Sequence, residues 1–164
     1  MKRRRGITAE EFRRELNNDP AYLARIAERD RRIEALAREY ADEDSHIARE
    51  ARKLGYKIGS VWDFINNDPH PFLPRPFVGP YERAYPMLVR HLRLQHHRKV
   101  REGIIRALTV RDGGRLVADA LLAEFNVEKD PALRWVLANA LRSAMPLKER
   151  KRHPEIGQVL KRTL

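Results

Sequence analysis

Val100-Arg101-Glu102-Gly103-Ile104-Ile105-Arg106-Ala107-Leu108-Thr109 lines up, at an offset of 33 residues, with Leu133-Arg134-Trp135-Val136-Leu137-Ala138-Asn139-Ala140-Leu141-Arg142. Arg, Ala and Leu recur at identical places, and the apolar positions agree around them. Val100, Ile104, Ile105, Ala107 and Leu108 form one face of a helix in the first copy. Leu133, Val136, Leu137, Ala140 and Leu141 do the same in the second. A further helix precedes each: Tyr85 to Leu92, with Leu88 and Leu92 inward, and a segment carrying Val117, Leu121, Leu122 and Phe125. A helical repeat of this period predicts stacked helix pairs, each burying a face on the next.

A proline early in the first helix (Pro86), a short loop, Val100-Arg101 and then Ala107-Leu108 make a pattern that resembles HEAT-repeat proteins. The second copy keeps Asp130-Pro131, Leu133-Arg134 and Ala140-Leu141, but has Asp119 where the proline would stand. The resemblance covers about residues 81–145. It implies an antiparallel helix-pair stack acting as a scaffold or adaptor, in a family that is mostly non-catalytic. Two pairs are few for a solenoid, because each end pair leaves an apolar face in water. The expected fold is therefore all-α: a HEAT-like stack of about two helix pairs, capped by N-terminal helices and by a C-terminal helix near His153-Pro154 to Leu160.

The expected domains are an N-terminal helical arm over 1–66, a connection over 67–80, and the repeats with their capping helix over 81–164. Thr8-Ala9-Glu10-Glu11 is a capping box opening a helix to about Asn17. Asp19 and Pro20 then suit the N-cap and N1 of the next. That pattern runs to Leu54, with Gly55 as C-cap. Ile26, Ile33, Tyr40, Ile47 and Leu54 keep a seven-residue spacing. The positions three earlier include Asp30 and Asp44, which argues against a symmetric parallel coiled coil. The narrow stripe is expected to rest on another helix of the same chain, and Asp42-Glu43-Asp44-Ser45 is a place where the helix could kink or split. Ser60 and Asp63 form a second capping box before Trp62 and Phe64. Prolines at 69, 71, 74, 76 and 80 make the connection extended.

The chain carries a formal net charge of +11 and no cysteine. Disulfides, thiol catalysis and thiolate metal sites are excluded, and no apolar run is long enough for a membrane span. The Lys2-Arg3-Arg4-Arg5 run is followed by charged residues rather than the apolar stretch of a signal peptide, so a cytoplasmic location is the default. The positive excess sits in residues 81–115, at +6, and in 142–164, at +5. Such blocks attract nucleic acid, anionic membrane or an acidic protein. Arg outnumbers Lys 26 to 8, so a compositional bias is the competing explanation.

The candidate partner-binding residues are Arg90, His91, His97, Arg98, Lys99, Arg101, Arg134, Trp135, Arg150, Lys151 and Arg152. His91, His96 and His97 cluster at a turn among cations. With no carboxylate nearby in sequence they make a poor metal site and a better phosphate-contacting rim, with a plain solvated loop as the competing reading. Arg101 and Arg134 stand at equivalent helix starts. They either bond backbone and acidic residues of a neighbouring pair or line the inner helices with guanidinium groups. Trp135 matches Glu102 in the other copy, which places it outside the shared core: it is either an interface anchor or is covered by the aromatic connection or the tail. The 148–153 run is either a solvated loop or an acidic-partner contact.

No cofactor site, glycine-rich phosphate loop or nucleophile constellation is present. Trp135 and Asp119 supply the residue types that some HEAT-like folds use for base excision, but no spacing motif joins them. The expected function is a non-enzymatic interaction module binding an acidic protein partner, with a monomer favoured. The alternative is a nucleic-acid-binding protein contacting the phosphate backbone without base readout.

Overall fold

The computed structural model describes residues 7–65 and 79–161, and among them every regular element is helical. The basic run at 2–5, the Asn66-Asn67-Asp68-Pro69 stop and most of the proline-rich connection, including Pro71 to Pro74, lie outside the described residues. No helix among the described residues is long and apolar enough to cross a membrane.

Helix α1 spans Ala9–Asn17 and starts in the predicted capping box: Thr8 Oγ1 accepts from Glu11 N at 3.2 Å, and Glu11 Oε2 accepts from Thr8 N at 2.9 Å. Asp19 Oδ1 then takes the amides of Ala21 and Tyr22, opening α2, Pro20–Lys53. Helix α2 runs unbroken through Asp42–Ser45 for 34 residues, about 50 Å at 1.5 Å per residue. Gly55, at φ 96°, follows as the predicted terminator, a conformation that glycine adopts without strain.

The chain divides into two compact units, residues 1–39 and 40–164. The division falls inside α2. In the first unit no described residue is buried; Phe12 is 52% and Ile33 58% exposed. Along the seven-residue stripe, Ile33 is exposed and Ile47 is fully buried. Burial on α2 begins at Asp44 and continues through Ile47, Ala48 and Ala51.

The second unit holds the core. Helices α3 (Tyr85–Leu92), α4 (Arg98–Ala107), α5 (Gly114–Val127) and α6 (Pro131–Ala144) follow the sequence expectation closely. Helix α3 packs on α4 and α5 on α6; α3 also packs on α5 and α4 on α6. Each of the four helices therefore packs on two of the other three. Leu88, Leu92, Ile104, Ile105, Leu108, Leu121, Phe125, Leu137 and Leu141 are fully buried between them. Each such side chain contributes about 1.5–3 kcal/mol by leaving water. His97 and Asp130, again 33 residues apart, are the N-caps of α4 and α6, accepting from the amides of Lys99 and of Ala132 and Leu133.

Further elements pack on α4 and on α6. The 3₁₀ turn Val61–Phe64, with its own Ser60–Asp63 capping box, packs on α4. Asp44 of α2 holds that turn in place by accepting Val61 N–H at 2.8 Å in a buried bond. Trp62 is half-buried against the core. Beyond α6 a short helix, α7 (Leu147–Arg150), leads into α8 (Pro154–Lys161), which packs on α6 through the fully buried Ile156. The sequence predicts a helix here, near His153-Pro154 to Leu160.

Candidate functional site

The ridge of α4 at Arg98, Glu102 and Arg106 advances by four residues at each step, so these side chains share one face. Opposite it stand Pro131, Ala132, Leu133, Trp135 and Val136 of α6. Together they wall a cleft of about 450 Å³. Its floor is mostly apolar, and its polar rim comes from α4. Glu102 and Trp135, which hold the same place in the two copies of the repeat, line the same cleft. Trp135 is half-buried, packed on the core on one side and open to the cleft on the other.

The rim charges are fixed by their neighbours. Arg98 Nε donates to Asp130 Oδ2 at 2.7 Å, tying the start of α4 to the cap of α6. Arg106 Nε donates to Glu102 Oε1 at 2.9 Å, and Lys99 Nζ donates to Glu102 Oε2 at 3.2 Å. Burial of Glu102 opposes its charge, but these two bonds more than offset it and hold the carboxyl below its usual range. Among the described residues, the Nη nitrogens of Arg98 and Arg106 donate to nothing.

Other predicted contact residues have structural duties. Arg101, 16% exposed, donates to the Leu92 carbonyl at 2.9 Å and to Glu124 at 2.8 Å, and pairs with Glu128. Arg134 donates to the Phe125 carbonyl at 2.6 Å and lies over the Phe125 ring at 4.1 Å. Of the two roles open for these arginines, Arg101 bonds to backbone and acidic neighbours, and Arg134 bonds to backbone carbonyls. Lys99 is paired with Glu102, and Arg101 with Glu124 and Glu128.

His91 is corrected more sharply: at 3% exposure its ring is inside the unit and no surface partner can reach it. Its Nδ1 faces His96 Nε2 at 3.2 Å, and its Nε2 lies 3.4 Å from Glu50 Oε1 without forming a hydrogen bond. His96 Nδ1 is 3.1 Å from Glu43 Oε2, which also accepts the His97 amide at 2.8 Å. Glu50 pairs with Arg90 and with His46. Tyr40 stacks on the ring of His97 at 5.2 Å. The turn after α3 is thus clamped to α2 rather than offered as a phosphate rim. The carboxylates missing from the local sequence arrive from α2, more than 40 residues upstream, yet no group with metal-binding geometry occurs among the described residues.

Burial pushes the His91 ring below the ordinary histidine range, although Glu50 pulls the other way. For Glu50, burial opposes the charge, while His91, Arg90 and His46 more than offset it and hold the carboxyl low. Glu43 is likewise low, its burial outweighed by the His97 amide and the His96 ring.

Comparison of the chain with family models, curated proteins and solved structures gives no match to any of them. The site therefore rests on geometry alone.

Arg150 donates to the Arg142 carbonyl at 2.5 Å, while Lys151 and Arg152 are exposed on the turn before α8. None of the three lines the α4–α6 cleft. Asp119 is exposed on α5 and does not line the cleft with Trp135, so the residue types for base excision are not brought together. The reading from sequence missed Arg106 as a rim residue. Its i,i+4 relation to Glu102, which is the other copy's Trp135, was the available signal.

Proposed function

We propose that this chain is a non-enzymatic, HEAT-like helical-repeat interaction module that binds an acidic protein partner, with the α4–α6 cleft as its centre. One observation carries the reading. Trp135 offers an aromatic wall inside an apolar cleft, and two anchored guanidinium groups stand on the rim. Tryptophan and arginine are the residue types that concentrate binding energy at interfaces. The repeat correspondence at 33 residues, together with the packing of α3 on α5 and of α4 on α6, supports the HEAT-like part.

The competing reading is sequence-independent binding to a nucleic-acid backbone, favoured by the exposed Lys148, Lys151 and Arg152. Titration of the full chain with poly-L-glutamate and with duplex and single-stranded DNA, at several salt concentrations, separates the two. The acidic-partner reading expects saturable, salt-weakened binding of polyglutamate that Trp135→Ala reduces. Binding of DNA alone, with log affinity falling linearly against log salt, overturns it in favour of phosphate contacts.

A further inference from the structure

The shape and donors of the α4–α6 cleft narrow the partner's chemistry. Arg98 and Arg106 are eight residues apart on one helix, which sets their backbones about 12 Å apart at 1.5 Å per residue. Each guanidinium is held through Nε, by Asp130 and by Glu102, so its planar fork is oriented before any ligand arrives. The uncommitted Nη donors suit carboxylates, which match the fork geometry of arginine. The same cleft is lined by the apolar wall of Trp135, Leu133 and Val136. A bulky apolar side chain is what that wall can desolvate. The central carboxylate, Glu102, is already answered by Arg106 and Lys99, so it does not call for a cation from the ligand.

An extended chain rises about 3.3 Å per residue, so a 12 Å span corresponds to about four residues, and alternate side chains point the same way. We propose that the cleft takes an extended acidic peptide segment of the form acid-x-apolar-x-acid. Its two carboxylates sit on Arg98 and Arg106, and its central side chain lies against Trp135. This assignment rests on the acidic-partner reading above and gives that partner a short linear form.

The probe is the synthetic peptide acetyl-Gly-Glu-Ser-Leu-Ser-Glu-Gly-amide, titrated into the ¹⁵N-labelled full chain at low salt. Expected are amide shifts concentrated in 98–106 and 131–136. Replacing Leu by Ser in the peptide should remove saturation, and replacing both Glu by Gln should weaken binding severalfold. Arg98→Gln and Arg106→Gln sit on half-exposed side chains and leave the core untouched. Each should weaken binding about two- to fivefold, the scale of an exposed ion pair, and Trp135→Phe should retain more binding than Trp135→Ala. Shifts mapping elsewhere, or equal affinity for the Gln peptide, overturn the assignment. If polyglutamate binds and the heptapeptide does not, the linear-segment proposal fails while the acidic-partner reading survives. If neither binds, both fall.

Discussion

Arg101 reaches back nine residues to the carbonyl of Leu92, and Arg134 reaches back nine residues to the carbonyl of Phe125. Donors and acceptors are both offset by 33, so the same bond is made twice, once in each helix pair. It joins the start of the second helix to the C-terminal end of the first, where carbonyls lack intrahelical partners. The two copies then differ in what lies beyond. Arg101 continues to Glu124 and Glu128 of the next pair, whereas Arg134 lies over the Phe125 ring. Replacing Arg101 by Met should therefore cost more than replacing Arg134, about 2–4 against 1–2 kcal/mol, because it also leaves two largely buried carboxylates without their cation. Urea unfolding of the two variants checks the order; equal losses would remove the inter-pair role of Arg101.

The repeat was legible because a helix pair writes its core into a short, regular apolar pattern. Arg101 and Arg134 were legible as equivalent for the same reason. What was not legible was long-range charge pairing. His91 and His96 look like a surface turn until Glu43 and Glu50 are brought over from α2, and Arg98 looks free until Asp130 arrives beside it. Spacing along a chain reports which residues share a helix face. It does not report which carboxylate from another helix will neutralise a given cation.

Asp44 shows the same limit from the other side. In the heptad pattern it is a charged interruption of an apolar seam, yet it is buried at 8% exposure because its carboxylate caps the start of the Val61–Phe64 turn. Asp44→Ala leaves a buried amide without an acceptor, at a cost of about 1–3 kcal/mol. Asp44→Asn keeps an oxygen at Oδ1 and should recover part of that loss. Thermal and urea unfolding of the pair distinguishes a cap from a mere packing site, since loss of packing alone would not rank Asn above Ala.

His91, Glu43 and Glu50, set among His46, His96, His97, Arg90 and Tyr40, should make stability fall on acidification in two stages. His91 is lowered from 6.5 by burial, so below that pH the unfolded chain takes a proton that the folded ring refuses. Its contribution is present above about pH 6.5 and is lost progressively as pH falls towards the folded value. Glu43 and Glu50 lie below 4.5 in the folded chain, so their contribution begins to disappear only under about pH 4.5. Urea midpoints from pH 7.5 to 5.5 should decline for the native sequence and be flatter for His91→Gln. A midpoint that holds or rises over that range would contradict the buried neutral ring.

At Gly103, helix propensity and packing give opposite expectations. In a helix interior, Gly→Ala ordinarily stabilises by about 1 kcal/mol, because alanine loses less backbone freedom on folding. Here a Cβ on residue 103 would stand 2.7 Å from Val61 Cγ1 and 3.2 Å from the Trp62 ring. Val61 is fully buried and β-branched, so it has no free rotamer to swing into. The turn would have to lift from α4, straining the Asp44–Val61 bond, and overpacking of this kind costs about 1–3 kcal/mol. Gly103→Ala should therefore be destabilising on balance, and Val61→Ala in the same chain should recover part of the loss by clearing the contact. A double-mutant cycle measures that coupling. Additive effects would show that the turn does not press on α4 at this point.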